Sequence, residues 1–137
     1  MNVVLCPCCL KQPYETCCAP YIEKNLLPAS PGTLMRSRYT AYVYGNLDYI
    51  QRTMQGKAAS DFDVEKTRTW LQEVECKGLI VLREYLKTPV QGFVSFQASY
   101  FFQGAPQWMA EKSEFHRIEG QWFYVSGKAL NPHKRFI

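Results

Sequence analysis

Five thiols stand within the first eighteen residues, and four of them are spaced to meet at one point: Cys6 and Cys8 on either side of Pro7, then the adjacent pair Cys17 and Cys18. Thiolate sulfur is a ligand that zinc favours, and two short clusters separated by a tight loop supply four of them to one tetrahedron at little cost in chain entropy. The spacing predicts one structural zinc ion on Cys6, Cys8, Cys17 and Cys18, because a site closed by four thiolates leaves no position for a reacting water. Cys9 reads as a loop cysteine with no role, as a replacement ligand for Cys8, or as a free thiol of lowered pKa beside the metal. The competing reading is a disulfide framework. Adjacent cysteines rarely bridge each other, since an unstrained bridge needs Cα atoms about 4.4–6.8 Å apart with converging Cβ vectors, but bridges between the two clusters stay open. The five residues before Cys6 show no basic stretch followed by an apolar one, so the expected compartment is the cytoplasm, where thiols are kept reduced. No stretch approaches the roughly 18 apolar residues of a membrane span.

A second set of residues could do chemistry in a pocket. Arg36 and Arg38 lie two positions apart and so face different sides of a helix. Arg38 shares a face with Leu34 and Tyr42, and a buried arginine needs a partner, for which Glu84, Glu111 and Glu114 are candidates. Glu114 and His116 fall on one face of a strand and could form an acid–base pair. Arg38, Tyr42, Glu114 and His116 are therefore the candidate pocket. A helix-to-sheet ion pair for Arg38 and a surface hydrogen bond for His116 are the competing readings. Trp70, Trp108 and Trp122 read as packing residues, and Cys76 as a small core residue closing a helix. No glycine-rich phosphate loop, Gly-x-Ser-x-Gly elbow or His-Glu-x-x-His helix occurs.

The elements that must position these residues follow from periodicity. Ser30-Pro31 resembles a helix start, and Leu34 to Tyr44 continues at helical spacing to a stop at Gly45-Asn46. Leu47 to Met54 reads as a second short helix, and residues 63–75 as a third on the recurrence of Val64, Thr67, Leu71 and Val74. Beyond Gly78 the period changes. Leu79–Leu86, Gly92–Gln103, Gln107–Ile118 and Gln121–Ser126 predict four consecutive strands in an antiparallel meander. Val94, Phe96, Ala98, Tyr100 and Phe102 alternate along one of them, giving an apolar face that only the helices can cover. The expected fold is α+β, a zinc knuckle (1–22), a linker (23–32), and helices packed on a curved sheet (33–137). A chain of 137 residues, 47% hydrophobic, is long enough to close one such core. A net charge of +4 does not by itself imply nucleic acid. A knuckle and basic tail, His133-Lys134-Arg135, could contact it, but aromatics interleaved with a basic stripe are not evident in the sequence.

The words of the chain, beyond its pattern, resemble known sequences. Cys6-Pro7-Cys8 to Cys17-Cys18 is similar to the SEC-C zinc motif. Together with Cys17-Cys18-Ala19-Pro20-Tyr21-Ile22, the block Leu34-Met35-Arg36-Ser37-Arg38-Tyr39-Thr40-Ala41-Tyr42-Val43, Gly92-Phe93-Val94-Ser95-Phe96 and Gly120-Gln121-Trp122-Phe123-Tyr124-Val125-Ser126-Gly127, it resembles the YchJ family of uncharacterised bacterial proteins across nearly its whole length. Cys9-Leu10 departs from the Gly-Ser that usually follows the second cysteine. The second SEC-C copy often seen at the C-terminus of family members does not occur in this sequence. The resemblance implies a SEC-C segment followed by a cone similar to nuclear transport factor 2, and no known activity. By analogy with SEC-C segments of the translocation motor, the expected partner is a protein: an export chaperone, the ribosome or a nascent chain, with Lys11 and Lys24 suited to an acidic partner face. A non-enzymatic adaptor is the leading expectation, with the cone as scaffold, homodimer surface or pocket. An enzyme or small-molecule binder using the cone interior is the alternative.

Overall fold

The computed structural model describes residues 4–8 and 11–130; Cys9 and the basic tail lie outside the described residues. Among the described residues five α-helices precede a four-stranded antiparallel sheet: α1 (Ala19–Lys24), α2 (Pro31–Tyr44), α3 (Leu47–Arg52), α4 (Gly56–Asp61) and α5 (Val64–Glu73), then β1 (Val74–Thr88), β2 (Gln91–Phe102), β3 (Ala105–Ile118) and β4 (Gln121–Ala129), in the order β1-β2-β3-β4. This is the expected α+β arrangement.

Local chemistry sets the helix ends. Ser30 caps α2 by accepting from the Thr33 amide at 3.2 Å, Pro31 supplies the first-turn φ, and Gly45 ends the helix at φ 70, a conformation that glycine takes at no steric cost. Asp63 caps α5 in the same way through the Lys66 amide at 3.0 Å. Helix α5 stops at Glu73, not at residue 75, and Cys76 lies in β1 opposite Tyr100. The long β2 offers Val74 to Cys76 a ladder of backbone partners, and that outweighs one more turn of helix. Helix α4 carries no apolar period and buries no residue, so its residues offer no signal of a helix.

The alternation in β2 works as expected. Val94, Phe96, Ala98 and Tyr100 are buried on the inner face, joined there by Met109 and Phe115 of β3. Between Pro31 and Tyr42 only Thr33 and Arg36 escape full burial, so α2 is covered on all sides and not along one stripe. The sheet covers one side. On the other, Cys6, Cys8, Cys18 and Ile22 belong to the same core as Leu34, Met35 and Tyr39. The expected knuckle (1–22) therefore shares one core with the helices and the sheet. Helix α1 runs across the expected boundary at residue 22, and residues 25–29 are all that connects it to the α2 cap.

Strand β2 and the start of α2 meet closely at Gly92, where an added Cβ would lie 2.6 Å from Pro31 Cγ. The proline ring cannot swing away. Gly92→Ala should therefore cost about 1–3 kcal/mol of stability, as overpacking does. Urea unfolding checks this, and an unchanged midpoint would show that helix and sheet separate freely at that point.

Candidate metal centre

The four cysteines are brought together by three local devices. Residues 4–6 and 12–14 form a small hairpin, with Cys6 N–H donating to Gln12 O at 2.7 Å and Tyr14 N–H to Val4 O at 2.9 Å. A 3₁₀ turn at Tyr14–Thr16 then reverses the chain, and Cys18 stands at the N-cap of α1. All four Sγ atoms lie within 4.8 Å of one another, with Cys8 and Cys17 at 3.5 Å. A tetrahedron with metal–sulfur bonds of about 2.3 Å places its sulfurs roughly 3.8 Å apart, so the donor set fits such an ion. The cluster could hold a metal. Among the described residues Cys6, Cys8, Cys17, Cys18 and Cys76 form no disulfide.

Helix α2 supports this site in two ways. Thr40 Oγ1 donates to Cys18 Sγ at 3.4 Å and lies 3.5 Å from Cys6 Sγ, so one hydroxyl orients two of the four thiols. Arg36 Nη1 donates to the Cys8 carbonyl at 2.6 Å and pins the loop between the first two cysteines. Sequence reasoning gave Arg36 no task, because its acceptor is a backbone atom distant in the chain. Burial first, then Cys8, pushes the Cys17 thiol up to about 12, and a hydrogen bond with Cys8 together with burial pushes Cys18 up as well. Clustered thiols in an apolar setting resist ionisation, and a divalent ion supplies the charge that makes thiolates favourable there.

The candidate pocket residues divide between the two faces of the sheet. Arg38 and Tyr42 line a cavity inside the cone together with Glu111, Ser113 and Tyr124. Glu114 and His116 alternate with Ser113 and Phe115 along β3 and so face outward, over a separate shallow cleft with Thr88, Gln91 and Arg117. The pair does form, His116 Nε2 to Glu114 Oε2 at 2.6 Å, with Gln91 Nε2 donating to the same oxygen at 2.9 Å. Burial works to raise Glu114, but the His116 and Gln91 hydrogen bonds outweigh it and hold the carboxyl below its usual range.

Arg38 donates to Ile50 O at 2.7 Å and Thr53 Oγ1 at 2.6 Å and stacks over the Tyr124 ring. Of its expected partners only Glu111 shares its cavity. Glu84 instead accepts from the Gly32 amide at 2.8 Å and caps the start of α2. Glu111, itself buried, accepts from Ser113 at 2.7 Å and Tyr124 at 3.0 Å. Gly127 makes room for this group, since a Cβ there would collide with the Glu111 carboxylate and the Tyr124 hydroxyl. Burial pushes Tyr42 up to about 12 and, with Glu111 adding to it, raises Tyr124 too, so both phenols stay protonated. The inward parity of Glu111 with Met109 and Phe115 was the available sequence signal.

A four-thiol cluster seated on the central helix of an α+β cone defines a small class of proteins. Residues 30–127 match the family described as YchJ, middle NTF2-like domain. The UPF0225 protein of Pectobacterium carotovorum subsp. carotovorum is 39% identical over 131 residues, covering 89% of this chain and 81% of that one. The chain belongs to the YchJ (UPF0225) family. A SEC-C motif containing protein from Rhodopseudomonas palustris has a solution structure that superposes with a TM-score of 0.84 at 32% identity, covering 93% of this chain and all of that one. A second SEC-C motif containing protein, from Psychrobacter arcticus, gives 0.78 at 25% identity over 89% of this chain and 80% of its own. No helix is long and apolar enough to cross a membrane among the described residues.

Arg36→Ala should lower metal affinity about tenfold or more, the usual effect of losing an outer support, as read by competition with a chromogenic chelator; an unchanged affinity would show that the Cys8 loop holds itself. His116→Ala should raise the Glu114 pKa, as followed by carbon NMR. The sign follows from the depressed folded value: Glu114 adds stability above its unfolded pKa of about 4.3, and that contribution is lost as pH falls through the folded value. A titration unmoved by the substitution would mean that Gln91 alone holds the carboxylate.

Proposed function

We propose that this chain is a non-enzymatic zinc protein of the cytoplasm: one structural zinc ion on Cys6, Cys8, Cys17 and Cys18 fixes the N-terminal hairpin on α2, and the rigid surface so formed binds a protein partner. The observation that carries this reading is the closure of the donor set. Cys6, Cys8 and Cys18 are 5%, 0% and 3% exposed, and four sulfurs leave no position at which a substrate or water could join the metal. Val4 and Leu5, 64% and 59% exposed on the hairpin, supply an apolar surface next to the ion.

The alternative, an enzyme or small-molecule binder inside the cone, has suitable polar groups but little room. The cavity at Arg38 and Tyr42 measures about 30 Å³, space for roughly two waters, whereas ligand pockets run to several hundred Å³. A substrate would have to open the core first.

Protein purified without added metal should contain about one zinc per chain by elemental mass spectrometry, and chelation should expose four further reactive thiols. Because the cysteines share the main core, chelation should also lower the unfolding temperature of the whole domain. A metal-free protein that keeps full stability would overturn the zinc assignment. For the partner, photo-crosslinking from Val4 in cells should give a discrete adduct that the Leu5→Asp variant loses while keeping its zinc; the same adduct in both would place the interface elsewhere.

A further inference from the structure

The outward face of the sheet carries a feature that the linear sequence conceals. The register places Arg83 opposite Ser95, Ser95 opposite Lys112, and Lys112 opposite Lys128, so three cations lie in one row across all four strands. Cross-strand neighbours of like charge destabilise a sheet. Among the described residues no ion pair neutralises any of the three. The acidic side chains nearby are otherwise engaged: Glu84 turns inward to cap α2, Glu114 is held by His116 and Gln91, and Glu75 pairs with Lys77.

The next row along is aromatic. Tyr85 and Phe93 stack with centroids 5.2 Å apart, Arg83 lies 4.5 Å from the Tyr85 centroid, and Lys112 lies 4.7 Å from that of Phe93. On the other side of the basic row, Trp108 and Phe101 are 49% and 37% exposed on the same face. Trp108 was expected to pack like the other two tryptophans. It does not, because its position on β3 has the outward parity of Lys112 and Glu114.

We infer that this face binds single-stranded nucleic acid, with Arg83, Lys112 and Lys128 taking successive phosphates and Trp108 stacking on a base. An open, sheet-borne set of cations flanked by aromatic rings is the arrangement that tracks a flexible polyanion whose bases are free to stack. A second copy of this chain fits less well, since face-to-face pairing would bring the unneutralised row toward its own image. This surface is distinct from the cysteine cluster, and the inference does not depend on the proposed adaptor role.

The test uses the full, metal-loaded chain and a short fluorescent oligouridine, read by anisotropy. Three phosphate contacts predict a slope of log K against log salt of about −2, and Lys112→Gln with Lys128→Gln should reduce it by about 1.4. Binding should quench tryptophan emission, and Trp108→Ala should abolish the quench and weaken binding at least about fivefold, while Trp108→Phe restores the affinity. Circular dichroism checks that each variant is folded. Four results would overturn the inference: no anisotropy change at low salt, affinity indifferent to the lysine pair, equal affinity for heparin or duplex DNA, or a dimer in sedimentation that Lys112→Glu with Trp108→Glu converts to monomer.

Discussion

From Pro31 to Tyr42 helix α2 keeps almost no solvent face. Its sheet side supplies Met35, Arg38, Tyr39 and Tyr42 to the cone interior, and Thr40 meets the sulfurs of Cys6 and Cys18. A helix buried on more than one face cannot be stabilised by amphipathic packing against a single layer, so it needs two. The cysteine hairpin is the second layer. It has only a short hairpin, one 3₁₀ turn and the six residues of α1 with which to hold its shape, too little for independent stability. Helix and hairpin are therefore mutually dependent: the hairpin closes the core, and the core, through Arg36, fixes the loop from which two of the sulfurs project.

Burying Arg38 in the same core imposes a second constraint. A guanidinium taken out of water must be met by acceptors with good geometry. The fold meets it with the Ile50 carbonyl and the Thr53 hydroxyl from the end of α3, and with the Tyr124 ring from β4. Residues 53–55 are in turn bonded to Tyr124 by its amide and carbonyl. The arginine thus joins α2, α3 and β4 at one place, while Glu111, Ser113 and Gly127 make a polar lining that leaves little free space.

Much of this was legible in the residues. The clustering of the four cysteines could be read because Cys-x-Cys and Cys-Cys are local patterns, and the meander because β2 alternates over its whole length. Helix α4 was not, since Lys57-Ala58-Ala59-Ser60 has no periodicity to detect. The end of α5 was misread because Val74 suits a helix stripe and a strand equally, and only its pairing with Phe102 decides. Arg38 could be identified as buried but not matched to its acceptors, two of which come from one short helix end. The grouping of Arg38, Tyr42, Glu114 and His116 mixed two faces of the sheet, because strand parity separates Glu114 from the interior whatever its chemistry.

One edge of the sheet remains open. Strand β4 is flanked by the Met54–Tyr124 bridge and the amide exchange at residues 53–55, so its backbone is partly covered. Strand β1, fifteen residues long, has no such neighbour among the described residues. An uninterrupted edge of that length would template the addition of strands from other molecules and lead to aggregation. Its ladder with β2 slips at three places, and the residues left over are Lys77, Leu82 and Lys87. Each slip twists the edge away from a flat template, and two of the three place an ammonium group where an incoming strand would have to lie. The irregularities of β1 thus make this edge a poor template for a strand from a neighbouring molecule.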